Sequence, residues 1–136
     1  MLETGSLASA LTEIGRRTVD APTRFDVSAG PIDQLPQSVE EELLRIGQEA
    51  ITNAARHARA TSIQVDLRQE ADSVRLHVRD DGCGFDVDAM WSSATGHYGL
   101  TGMQERAARA GGRVTVNSSS TGTHVEAFVP CRRRRA

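Results

Sequence analysis

Residues 62–86, SIQVDLRQEADSVRLHVRDDGCGFD, contain two runs of alternating apolar and polar residues, followed at once by aspartates and glycines. Such alternation is typical of β-strands with one buried face, and the short polar turn between the runs predicts a hairpin. Counting two residues on from Val78, the last apolar residue of the second run, gives Asp80 on the same face. Two interpretations stay open: the strand ends at Asp80 with a buried carboxylate, or it ends at Arg79 before an ordinary turn.

The loop that follows, DDGCGF at residues 80–85, combines carboxylates with flexible backbone. A carboxylate on a buried face is unfavourable unless it is hydrogen-bonded, whereas Asp81 would lie on the other face and need no special partner. Gly82 and Gly84 permit conformations and close approaches that a side chain would block. The loop therefore fits either a surface turn or a segment that approaches a ligand.

A long amphipathic helix is predicted at residues 38–58, with Ser38 as its N-cap and Glu41 completing a capping box. Its apolar residues form one broad arc on a helical wheel. The opposite side carries Glu42, Arg45, Glu49, Asn53 and Arg56. Periodicity alone favours a simple solvent-facing side, although Glu49 and Asn53, four residues apart, can act on one neighbour.

Glycines at positions 96, 99 and 102 lead into a second helix, which Gly111 and Gly112 would end. Free N–H groups at a helix N-terminus favour an anion such as phosphate, although glycine loops are frequent and the signal is weak by itself. The irregular residues 87–98 before it have the length of a lid or binding loop.

The remaining elements complete one α/β domain. Residues 6–17 predict a helix, residues 24–30 a short strand, and residues 113–130 a closing hairpin. Thr101 and Gln104 would form a capping box on the helix before that hairpin.

The composition is that of one soluble globular domain, with 136 residues, 25% of them charged, and a formal net charge of −2. Four arginines lie at 132–135, so the rest of the chain is acidic. The sequence contains no basic stretch interleaved with aromatic residues, which is the pattern that would predict nucleic-acid binding. No apolar run approaches the roughly 18 residues of a membrane span, and no secretion signal is present. Two separated cysteines lack zinc or disulfide spacing, which fits a reducing cytosol.

The order of these pieces resembles the ATP-binding catalytic domain of sensor histidine kinases, which has the Bergerat fold. RIGQEAITNAARHA resembles the N box, DDGCGF the first glycine box, GHYGLTGMQERA the second, and GTHVEAFVP the closing strands. The forms ARHA and GLTGMQERA resemble the subfamily paired with LuxR-like response regulators. The resemblance implies an α/β two-layer sandwich, in which three helices cover one face of a mixed, mainly antiparallel sheet of about five strands.

The resemblance also implies a role for each candidate residue. Asn53 would bind Mg²⁺ on the triphosphate of ATP, with Glu49 beside it in catalysis or holding a water, and such oxygen ligands suit magnesium. Asp80 would accept a hydrogen bond from the adenine amino group, and Thr123 would line the adenine side. The other ATP-binding candidates are Arg56 and His57 near the phosphates, Gly82 and Gly84 beside the base, and Gly99, Leu100 and Gly102 around the phosphates. The family often has lysine where Arg56 stands, which leaves the role of Arg56 open, and residues 87–98 would be the ATP lid.

The same resemblance implies a domain organisation. Residues 1–20 would end a connecting helix from a dimerization domain, residues 21–130 would bind ATP, and residues 131–136 would be a basic tail. None of the histidines at 57, 77, 97 and 124 has the helical-hairpin setting of a phosphoacceptor. We therefore expect a cytoplasmic domain that is monomeric when isolated. It would phosphorylate a histidine on the dimerization domain of its parent kinase. The sequence leaves open whether that parent kinase is anchored in a membrane.

Two alternative functions stay open, the second of them of a different class. A stand-alone serine kinase of the anti-sigma-factor type has the same fold at similar length, and a nucleotide-binding interaction module would transfer nothing. A chaperone-type ATPase is disfavoured because no later domain supplies a Lys or Arg to the phosphate site.

Overall fold

The computed structural model describes residues 6–32, 35–57, 59–84 and 100–131. Three helices and five strands occur in these ranges, close to the positions that periodicity predicts. In chain order they are α1 (Ser6–Thr18), β1 (Arg24–Ala29), α2 (Gln37–His57), β2 (Ser62–Gln69), β3 (Ser73–Asp80), α3 (Leu100–Arg109), β4 (Arg113–Ser119) and β5 (Gly122–Pro130).

The five strands form one sheet in the order β1-β2-β3-β5-β4. β1 runs parallel to β2, and every other neighbouring pair is antiparallel. α1 packs on β1 and α2, α2 packs on β2, β3 and β5, and α3 packs on α2 and β4. The predicted two-layer sandwich with a mixed, mainly antiparallel sheet is confirmed.

Aliphatic side chains fill the space between the helices and the sheet. Ile63, Val65 and Leu67 of β2 are at most 1% exposed, as are Leu11 of α1 and Leu43 of α2. Burying one such side chain stabilises the fold by about 1.5–3 kcal/mol. The core therefore depends on aliphatic packing, which agrees with the low aromatic content of 4%.

α2 begins one residue before the predicted N-cap. The helix starts at Gln37, and the carbonyl of Pro36 already accepts the N–H of Glu40 at 3.1 Å. Glu41 accepts a hydrogen bond from the Gln37 side chain at 3.2 Å, so the predicted capping box of Ser38 and Glu41 is wrong.

α3 ends in a Schellman motif at the two glycines that were predicted to stop it. Gly112 N–H donates to the Ala107 carbonyl at 2.7 Å, and Gly111, at φ 83°, donates to Ala108 at 2.9 Å. The predicted capping box at the other end is wrong, because the Gln104 side chain bonds to Val114 of β4 instead.

None of the helices in the described ranges is long and apolar enough to cross a membrane.

Candidate functional site

Asp80 is the last residue of β3, and its side chain belongs to the helix-facing side of the sheet. It pairs with Ile63 of β2 on one side and with Thr123 of β5 on the other, both of them buried. Its Oδ1 accepts the N–H of Gly82 at 2.9 Å, and the Thr123 N–H is a second donor. Burial raises the pKa of Asp80 above its ordinary value, and the charge of Asp81 adds to the increase, against the lowering effect of the two N–H donors.

Asp81 has a different environment, and the expectation that it needs no special partner is wrong. Its carboxylate accepts the Thr61 hydroxyl, the Thr61 N–H at 2.8 Å and the Ser62 N–H at 2.9 Å. These bonds, the hydroxyl bond first, hold the pKa of Asp81 below its ordinary value. The antiparallel pairing of β2 with β3 brings the first residues of β2 beside the end of β3, so Asp81 fixes the start of β2.

The first glycine loop packs directly on the end of the β4–β5 hairpin. Gly84 has φ 72°, a conformation that L side chains rarely adopt, and a Cβ there would overlap the Ser119 carbonyl. Gly82 is buried beside Asp80. Gly84 therefore has a packing reason of its own, apart from any ligand.

Thr123 is buried at the same end of the sheet, where its hydroxyl lies 2.8 Å from that of Ser118. A pocket of about 400 Å³ opens here. Its lining consists of Arg79, Asp80, Asn117, Ser118, Ser119, Thr121, Gly122, Thr123 and His124. Asp80 and Thr123 both line this cavity.

Asn53 is only 9% exposed, so its assignment to the solvent-facing side of α2 is wrong. Ile46, which is 1% exposed, lies seven residues earlier on the same helix. Seven residues make almost two full turns, so the two side chains leave the helix in directions only about 20° apart. Asn53 lies at the border of the apolar arc. Glu49, one turn earlier, is half-buried, and Arg56 is exposed.

α3 begins at Leu100, within the second glycine box. Leu100, its first residue, is 2% exposed and anchors the helix in the core. A Cβ at Gly102 would find no atom within 4 Å among the described residues, so packing there does not require a glycine. Gly99, the predicted lid at 87–98 and the His57 side chain lie outside what the structure describes.

The family of the chain follows from a match to a family model. Residues 38–133 match the family described as histidine kinase-, DNA gyrase B-, and HSP90-like ATPase.

The chain belongs to this ATPase family.

Curated relatives of this family member include sensor protein VraS of Staphylococcus epidermidis, 37% identical over 98 residues, and that of Staphylococcus haemolyticus, 37% identical over 101 residues. The matches cover 71% and 74% of this chain but only 27% and 28% of the relatives. The chain thus spans about a quarter of the length of these proteins.

Two solved structures have the same fold. The histidine kinase domain of the Erythrobacter litoralis EL346 blue-light activated histidine kinase aligns with a TM-score of 0.74 and 23% identity, over 93% of this chain and 64% of that one. The mycobacterial sensor histidine kinase MprB aligns with a TM-score of 0.68 and 20% identity, over 94% and 95%.

Membership of this ATPase family raises the question of whether the residues fit a magnesium ion. Within the described ranges no three His, Cys, Asp or Glu side chains form a group that could hold a metal. α2 carries one nearly buried amide, Asn53, and the half-buried carboxylate Glu49 one turn before it. This donor set fits Mg²⁺, which keeps several waters and takes phosphate oxygens as further ligands.

The open face of the sheet holds a histidine pair that the sequence does not predict. His77 of β3 lies on the outer face as expected, but its side chain is only 15% exposed rather than a free surface group. Its Nδ1 lies 2.7 Å from His124 Nε2, and the rings stack with centroids 4.9 Å apart. Glu126 approaches the other His77 nitrogen at 3.5 Å. Only the register of β3 with β5, which no single strand reveals, brings these rings together.

Proposed function

We propose that the chain contains the ATP-binding catalytic domain of a two-component sensor histidine kinase, which donates the γ-phosphoryl group of ATP to a histidine on a dimerization domain. The observation that carries the proposal is Asp80: a half-buried carboxylate with a raised pKa, at the mouth of a cavity, in a member of this ATPase family. The names of its relatives, sensor proteins and histidine kinases, support the choice within that family.

Asp80 suits the recognition of adenine. Burying a carboxylate is unfavourable, and a ligand N–H that donates to it replaces part of the lost hydration. The adenine amino group is such a donor, whereas guanine presents a carbonyl at that position. Thr123, buried opposite Asp80, would line the base, with Gly82 and Gly84 beside it.

The phosphate end of the site would be formed by α2 and α3. Asn53 and Glu49 would hold Mg²⁺, which supplies charge neutralisation on the triphosphate. Arg56 and His57 would lie near the phosphates, and Gly99, Leu100 and Gly102 would present N–H groups to them at the start of α3. No described residue comes within 4 Å of a Cβ placed at Gly102, which supports this arrangement.

The finer assignments follow from the sequence motifs. A LuxR-like response regulator would accept the phosphoryl group downstream, and the domain itself would be cytoplasmic, monomeric and without affinity for nucleic acid. Residues 1–20 would continue from a dimerization domain, residues 21–130 would bind ATP and residues 131–136 would form a basic tail. Leu7, Leu11 and Ile14 of α1 are buried in the core, so this helix would pack as part of the ATP-binding domain.

Calorimetric titration with ATP and GTP, with and without Mg²⁺, tests the binding step. We expect ATP to bind at least about tenfold more tightly than GTP, because guanine leaves Asp80 without a donor. Equal affinities would contradict the adenine assignment.

Mixing the protein with γ-labelled ATP and either a histidine-kinase dimerization hairpin or an anti-anti-sigma protein tests the transfer step. Label on the hairpin, in an acid-labile form, is expected. Label on the anti-anti-sigma protein would favour the serine kinase, and ATP binding without any transfer would favour the interaction module.

A further inference from the structure

The side chain of Gln104 makes a reciprocal pair of hydrogen bonds with one residue of the sheet. Its Oε1 accepts the N–H of Val114 at 2.9 Å, and its Nε2 donates to the Val114 carbonyl at 3.4 Å. An amide side chain carries the same donor and acceptor as a peptide unit, so Gln104 takes the place of a strand residue. β4 is an edge of the described sheet, where such backbone groups would otherwise lack a strand partner.

This pair holds α3 at a fixed position along β4. The buried side chains of Leu100, Met103 and Ala107 pack the helix against the core, and two other sets of polar contacts hold it in different ways. The Schellman motif fixes its C-terminal end through Gly112, and Arg106 and Arg109 reach Glu42 of α2 at 3.5 and 2.9 Å. The arginines are 37% and 59% exposed, and exposed ion pairs contribute little to stability. Among the described contacts, the Gln104 pair is the half-buried polar connection between the middle of α3 and the sheet.

The distance from Gln104 to the start of α3 is short. Leu100 and Gly102 lie within its first turn, four and two residues before Gln104, so the separation is about one turn at most. A shift of the helix along β4 would therefore move the N–H groups of that turn by the same amount. Asp80 and Thr123 would not move, because they belong to β3 and β5 and are fixed by strand pairing.

We propose that Gln104 is a positioning residue for the phosphate end of the nucleotide site. This inference rests on the proposed function, since it concerns the same site. Gln104 touches no part of the nucleotide: it fixes the first turn of α3 where the phosphates would bind, and it leaves the base subsite unaffected.

The experiment compares ATP with adenosine, which lacks phosphates, in titrations of the wild type and of Gln104→Ala. We expect the variant to lose about tenfold in ATP affinity, from the loss of two hydrogen bonds, with little change for adenosine. Arg109→Ala is the matched control, because it removes a contact of the same helix and is expected to leave both affinities close to wild type. Circular dichroism checks that each variant is folded.

A second variant separates positioning from general stability. In Gln104→Glu the ionised carboxylate can accept the Val114 N–H but repels the Val114 carbonyl, whereas the protonated acid can donate to it. Its ATP affinity, divided by that of wild type at each pH, is therefore expected to rise as the pH falls through the pKa of the new carboxyl. Gln104→Ala has no such group and its ratio should stay flat.

The outcomes separate this inference from the proposed function. Wild type that binds neither ATP nor adenosine would overturn the proposed function itself. Wild type that binds both, with Gln104→Ala weakening ATP and adenosine equally or neither, would overturn the role of Gln104. A flat pH ratio for Gln104→Glu would also overturn it.

Discussion

Asp80 and Asp81 are neighbours in the chain, yet their pKa values shift in opposite directions. Burial on the helix-facing side of the sheet raises the pKa of Asp80, while hydrogen bonds from Thr61 and Ser62 lower that of Asp81. Asp80 ends β3 and lines the cavity, while Asp81, the next residue, is bonded to the start of β2. The two aspartates can therefore be tested against each other.

Asp80→Asn is expected to weaken ATP binding by about tenfold or more, because the neutral side chain loses a charged acceptor for the adenine amino group. The same change should leave the nucleotide-free protein equally or more stable at neutral pH. A raised folded-state pKa favours folding only at low pH, and that contribution is lost as the pH rises through the folded pKa. Calorimetric titration and thermal melting at pH 7 measure the two effects. A variant that loses stability while keeping its ATP affinity would contradict the assignment.

Asp81→Asn is expected to have the reverse effect, with lower thermal stability and little change in ATP affinity. Its lowered folded-state pKa stabilises the protein above the unfolded pKa of about 3.9 and stops doing so as the pH falls through the folded value. Unfolding curves at pH 7 and at about pH 3 should therefore differ from wild type mainly at pH 7. If Asp81→Asn proves the more damaging change for ATP binding, the roles of the two aspartates are reversed.

Asn53→Ala is expected to reduce the dependence of ATP affinity on Mg²⁺, since the proposed metal site would lose an amide oxygen. Asn53 is nearly buried, so some loss of stability is also expected and affinity alone would be ambiguous. The measured quantity is the ratio of ATP affinities with Mg²⁺ and with a chelator, at a temperature where the variant is folded. Arg45→Ala, an exposed change on the same helix, serves as the control. An unchanged ratio in Asn53→Ala would remove Asn53 from the metal site.

Gly84→Ala and Gly102→Ala form a second matched pair. At Gly84 the positive φ disfavours a side chain by about 1–2 kcal/mol, and overlap with Ser119 adds to this, so the melting temperature should fall. At Gly102 a Cβ would meet none of the described residues, and alanine favours a helix by up to about 1 kcal/mol, so the melting temperature should hold or rise. Melting curves and ATP titrations together give the result. Lower ATP affinity in a stable Gly102→Ala would place the phosphates there, whereas unchanged affinity would exclude it.

The sequence predicted the elements and their buried faces because both follow from local periodicity. Alternation in residues 62–80 predicts β2 and β3 and offers the buried side as one of two positions for Asp80, which strand pairing then decides. Gly111 and Gly112 predict where α3 ends, because only a residue that tolerates positive φ completes that turn. The order of the motifs predicts the sandwich, and the glycine boxes predict the family.

Only the tertiary structure decided which distant groups meet. Periodicity gives the direction of a side chain but not the segment opposite it, so it missed Thr61 as the partner of Asp81 and Val114 as the partner of Gln104. It also placed Asn53 among the solvent-facing residues, because position on a wheel does not say how far neighbouring elements cover a helix. The two hydrogen-bonded pairs join residues twenty and ten positions apart, and the burial of Asn53 depends on packing between different elements. Such contacts form only when the strands pair and the helices pack.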